Sequence, residues 1–110
     1  MTDKERYLEL TTELVKKVFT CDPFRVTVYF NSYSLRITFF DDSKDEEGCN
    51  IIALSATARL NYEDKLRFTI NNVNDVVLSW DESKTTEEAW REMVNEQFAR
   101  INEKGLNHGE

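Results

Sequence analysis

The sequence predicts a single α+β domain over residues 1–110: an N-terminal helix, a five-stranded antiparallel meander and a C-terminal helix. The architecture is two-layered, with both helices on one face of the sheet (α-β-β-β-β-β-α). Three observations carry this. Apolar residues recur at spacings of three and four near both ends of the chain and alternate with polar residues between them. The links between alternating segments are short, which favours antiparallel neighbours. One proline and three glycines, with no repeat or low-complexity tract, leave no place for a domain boundary. A chain of this length buries roughly two-thirds of its unfolded surface, enough for a core without metal or disulfide.

The first helix opens on a capping box, Thr2 with Glu5. Tyr7, Leu10, Leu14 and Val18 form its apolar stripe, widened by Leu8, Val15 and Phe19. Cys21-Asp22-Pro23 ends it, because the residue before proline avoids helical angles. In the next segment Phe24, Val26, Val28 and Phe30 alternate with Arg25, Thr27 and Tyr29. A two-residue turn at Asn31-Ser32 pairs Phe30 with Tyr33, Val28 with Leu35, Val26 with Ile37 and Phe24 with Phe39. Every pair is apolar, so turn and hydrophobic pattern agree on the register.

Asp41–Gly48 reads as a polar, acidic loop. A long strand from Asn50 to Leu60 turns Ile52, Leu54, Ala56, Ala58 and Leu60 to one face. After a turn at 61–65, Leu66, Phe68 and Ile70 alternate with Arg67 and Thr69. A turn at 71–75 leads to a fifth strand with Val76, Leu78 and Trp80 on one side. Thr85 and Glu88 form a second capping box. Trp90, Met93, Val94, Phe98 and Ile101 form the closing helix's stripe, and Glu87–Arg91 and Glu96–Arg100 are favourably oriented i,i+4 pairs. Gly105 stands where a helix C-cap is expected, ahead of a frayed tail.

Several chemistries lack their parts. The only histidine, His108, lies in the predicted tail, so serine and cysteine hydrolases of the triad kind have no base. Cys21 and Cys49 are far apart and form no CxxC, which argues against zinc and for free thiols in a reducing cytoplasm. No apolar stretch follows a basic start and no apolar run reaches membrane length, so neither a secretory leader nor a membrane span is expected. Neither common phosphate-binding glycine motif occurs. The acidic loop has Glu46 where a calcium-binding EF-hand loop starting at Asp41 needs glycine. The expectation is a protein that is not an enzyme and carries no cofactor or metal.

The charge distribution is informative. The chain carries 21 acids, 14 Lys and Arg, and a net charge of −7, which disfavours nucleic acid on average. Yet the predicted solvent face of the sheet holds Arg25, Arg36, Arg59 and Arg67 and no acid, with Tyr29 and Phe40 beside them. The simplest register sets Arg59 opposite Arg67, a destabilising arrangement that suggests a binding face. An opposite, acidic surface is expected from Glu9, Glu13, Glu88, Glu92 and Glu96 and from Asp41, Asp42, Asp45, Glu46 and Glu47.

These features suit a small acidic interaction protein of phage or microbial type that occludes or chaperones a protein partner, as inhibitors, immunity proteins and anti-defence proteins do. Binding would use either the Arg face or the acidic surface. The alternative is an anion, nucleotide or nucleic acid held on the Arg face, with Tyr29 and Phe40 stacking on bases. A homodimer through the sheet face is a third arrangement.

Overall fold

In the computed structural model, residues 1–44, 46–48, 50–72 and 86–108 are described. They form an α+β domain with helix α1 (Asp3–Val18), strands β1 (Val26–Phe30), β2 (Ser34–Lys44), β3 (Asn50–Leu60) and β4 (Leu66–Asn72), and helix α2 (Glu87–His108). The strands make one antiparallel sheet in the order β1-β2-β3-β4. The predicted fifth strand at 76–80 lies outside the described residues.

α1 begins as its sequence dictates: the Thr2 hydroxyl accepts a hydrogen bond from the Glu5 N–H at 3.1 Å. Its stripe is narrower than predicted. Tyr7, Leu10 and Leu14 are buried, whereas Leu8 and Phe19 are exposed. The chain leaves the helix at Phe19, before Pro23.

The β1–β2 hairpin differs from its predicted register by two residues. Phe30 lies opposite Leu35, Val28 opposite Ile37 and Val26 opposite Phe39. The cause is Asn31. Its Oδ1 accepts from the N–H groups of Tyr33 and Ser34, both at 2.9 Å, and its own N–H donates to the Ser34 carbonyl. That Asx-type loop holds four residues in place of two. A shift of two conserves which side chains face the core, since strand faces alternate with period two. Leu35, Ile37 and Phe39 are accordingly buried, but Phe24 and Tyr33 lie beyond the ladder, and they and the terminal Phe30 are exposed.

Asp41, Asp42, Ser43 and Lys44 belong to β2, not to a loop. The connection to β3 is therefore short, with Gly48 at φ +82°, a left-handed conformation suited to glycine. The β2–β3 register shifts between Phe39 and Phe40: Phe39 faces Leu54, while Phe40 faces Ile52. The extra residue, Ala53, is a bulge. It turns Ile52 off the predicted core face and leaves it exposed. β4 extends through Asn71 and Asn72, which alternation assigned to a turn.

α2 starts one residue later than predicted. Thr86 accepts from the Ala89 N–H at 3.3 Å, and the predicted cap, Thr85, lies outside the described residues. The helix also runs through Gly105 to His108, so Gly105 is not its cap. Both anticipated side-chain pairs form, Arg91–Glu87 at 3.2 Å and Arg100–Glu96 at 2.9 Å.

One core joins the layers. Tyr7, Leu10 and Leu14 of α1 and Trp90, Val94, Phe98 and Ile101 of α2 share it with Val26, Leu35, Ile37, Phe39, Leu54, Ala56, Ala58, Leu60 and Phe68 of the sheet. The Phe98 ring meets Phe39 edge-on at 5.1 Å, and Trp90 packs on Phe68 at 5.2 Å. Ala56 and Ala58 keep the middle of β3 low, which leaves room for the larger helix side chains. Polar contacts tie the two helices to each other. Arg6 pairs with Glu87, Arg91 with Glu13, and Lys17 with the Asn95 amide. The Asp3 carboxylate accepts from the Leu66 N–H at 3.0 Å and so ties the start of α1 to β4.

Candidate functional site

With one sheet face committed to the core, alternation sends the other residues to the outer face. The observed registers arrange them in rows. One row runs Tyr29, Arg36, Thr57, Thr69; the next runs Ser34, Arg59, Arg67. Arg59 therefore stands directly opposite Arg67, as the sequence predicts. Directly opposed residues have Cβ atoms about 5 Å apart, and Arg36 lies on the diagonal from Arg59, at roughly 7–8 Å. Three guanidinium groups thus share one end of the face, on the three strands β2, β3 and β4.

Thr57 sits at the centre of this patch. It points away from the helices, yet only 2% of its surface is exposed. Its neighbours across the strands are Arg36 and Thr69, and along β3 they are Ser55 and Arg59. Strand alternation alone places Thr57 on the outer face and does not anticipate its burial. A β-branched residue in a central strand, flanked by long side chains, is partly enclosed by their stems.

Tyr29 borders the patch on β1 beside Arg36 and is 65% exposed. The patch is rich in Arg, Thr and Tyr. No acid lies within Val26–Phe40, Ile52–Leu60 or Leu66–Ile70. Guanidinium groups are always charged at physiological pH and offer a planar fork of donors that matches a carboxylate or phosphate.

Arg25 and Phe40 do not join the patch. The Phe40 N–H donates to the Arg25 carbonyl at 2.8 Å, so the two are neighbours. Phe40 is four residues, about 13 Å, from Arg36 along β2. The Arg25 side chain is largely covered and lies 4.0 Å from Asp22. Phe40 is half-buried, opposite Ile52.

The predicted acidic surface is less coherent. Asp41 and Asp42 are strand residues, and Asp45 lies outside the described residues. Glu46, Glu47, Glu88, Glu92 and Glu96 are exposed. Bases already engage several helix acids: Arg100 holds Glu96, and Glu13 meets Arg91 at 3.3 Å and Lys17 at 3.8 Å. Glu88 and Glu92 make no ion pair among the described residues.

Cys21 is a half-buried free thiol, its Sγ 3.4 Å from the Lys17 carbonyl, and burial raises its pKa. A raised pKa keeps it protonated and poorly nucleophilic. Cys49 lies outside the described residues. Among the described residues no three His, Cys, Asp or Glu side chains gather to hold a metal ion, and no helix is long and apolar enough to cross a membrane. No family model, curated protein or solved structure matches the chain.

Proposed function

We propose that this chain is a non-enzymatic interaction protein of the reducing cytoplasm, and that its Arg-bearing sheet face docks on an acidic protein partner and occludes it. The observation that carries the reading is the opposition of Arg59 and Arg67, with Arg36 on the diagonal, within the acid-free stretches 34–40, 52–60 and 66–70. Like charges placed directly opposite cost stability, where a mixed pair would contribute a few tenths to ~1 kcal/mol. A partner's carboxylates placed over the three guanidinium groups would gain bidentate contacts. Arg and Tyr are also the side chains most enriched where protein interfaces concentrate their energy. The partly neutralised helix acids make the alternative, acidic docking surface the weaker choice.

A second reading puts a nucleotide or single-stranded nucleic acid on the same face. Tyr29, exposed beside Arg36, favours it, since a ring next to a cation can stack on a base. The two readings differ in salt response. Three arginines neutralising three phosphates of a single strand give a log–log salt slope of about −2.

Capture from lysate with the tagged full chain, with and without nuclease, tests the proposal. The expected result is one protein enriched in stoichiometric amount, indifferent to nuclease, and lost from an Arg59→Ser/Arg67→Ser bait. Co-purified nucleotide or nucleic acid that disappears with the same substitutions would move the function to the second reading. A partner retained by that bait but lost from Glu88→Gln/Glu92→Gln would place docking on the helices.

A further inference from the structure

β1 is an edge strand whose outer backbone groups have no partner among the described residues. Their identity follows from the ladder. The Arg25 carbonyl accepts from Phe40 and the Asn31 N–H donates to Ser34, so odd-numbered residues turn their backbone groups toward β2. The N–H and C=O groups of Val26, Val28 and Phe30 therefore point away from the sheet. Natural edges are blunted by proline, lysine, a bulge or a covering segment. The sequence Val26-Thr27-Val28-Tyr29-Phe30 has neither proline nor charge, and its pairing with β2 is regular.

We infer that β1 pairs with β1 of a second copy, antiparallel about a two-fold axis at Val28, to join two four-stranded sheets into one. This register is the one in which all three outward-pointing residues exchange hydrogen bonds, Val28 with Val28 and Val26 with Phe30. It also satisfies the side chains. On the helix side Val26 meets the partner's Phe30, whose ring is 51% exposed in the single chain. On the outer side Thr27 meets the partner's Tyr29, a Thr–aromatic cross-strand pair.

Charge selects a second copy over an acidic or basic partner strand. The paired segment is uncharged, and the nearest cation, Arg25, falls opposite the partner's Asn31 rather than its own equivalent. Area sets the strength. Tyr29, Phe30 and Tyr33 are each more than half exposed, leaving roughly 100 Å² apiece. With the strand backbone, two copies bury on the order of 1,000 Å², the lower bound for a specific interface. The dimer is therefore weak and forms at high protein concentration. Each copy carries a net charge of −7, so added salt tightens it by screening, the reverse of what an Arg-face complex would do. The inference is independent of what the outer face binds.

Sedimentation equilibrium of the full chain, from about 10 μM to about 1 mM, tests it beside amide hydrogen exchange at the two extremes. The expected result is a mass that doubles with concentration, more readily in higher salt. The Val26, Val28 and Phe30 amides should exchange fast when dilute and slow at least several-fold when concentrated. Val28→Pro should abolish both changes and still fold, since that N–H faces away from β2. Should Val28→Pro not fold, Thr27→Lys decides, because it charges the seam without touching the backbone. A monomer throughout, or a dimer that survives a folded Val28→Pro or Thr27→Lys, would overturn the inference.

Discussion

Asp3 shows how much one side chain can organise. Its carboxylate is held below its ordinary pKa of 3.8, chiefly by the Leu66 N–H; desolvation opposes this, and Arg6 and Lys65 add to the lowering. A carboxylate with a depressed folded-state pKa contributes stability above its unfolded pKa and loses it as pH falls through the folded value. Asp3→Asn should therefore lower the urea midpoint at pH 7, and the deficit should shrink at pH 3 and below. Nothing local in the sequence marks this residue, because its partner is 63 positions away. The Arg59–Arg67 opposition was legible, since Leu60 and Leu66 must share a face across a short turn and so set the register. Thr57 was not, because alternation gives direction but not the height of neighbouring stems.

At the scale of elements, hydrophobic period located both helices and four strands, and local polar chemistry then adjusted their ends. Asn31 is the clearest case. Its side chain folds the loop and moves the hairpin by two residues, a change invisible to period-two alternation because it conserves the faces. Asn31→Ala should cost about 1–2 kcal/mol by chemical denaturation, since two N–H groups lose their acceptor. The Ala53 bulge was missed for a related reason. An inserted residue leaves the apolar count of a strand unchanged while reversing the direction of what precedes it. Thr86 and Thr85 are adjacent and chemically alike, so composition alone does not mark Thr86 as a capping residue. Phe98 holds α2 against the sheet through the Phe39 ring. Phe98→Ala should cost about 3–5 kcal/mol, a large part of the stability of a domain this size.

Across the whole molecule, charge is segregated by layer. Acids crowd the helices, where several are matched by bases, and the stretches 26–40, 52–60 and 66–70 of the sheet carry arginine as their only charged residue. One face of the sheet is thus closed by the core and the other carries Arg36, Arg59 and Arg67, on a chain whose net charge is −7. That division was readable from alternation and composition. The convergence of Arg36, Arg59 and Arg67 away from Arg25 required the registers, because residue spacing along four strands does not give distance across them. A surface that opposes like charges serves recognition at the expense of stability, and the two can be separated by experiment.

The most direct measurement is the thermal midpoint of Arg67→Glu against the parent protein in low salt. If the Arg59–Arg67 opposition is an internal conflict retained for binding, the new mixed pair contributes a few tenths to ~1 kcal/mol. The midpoint then rises by about 1–8 °C, and the gain fades as salt is added. A lowered midpoint would mean that Arg67 already serves the fold, and it would remove the physical basis for reading the outer face as a docking surface.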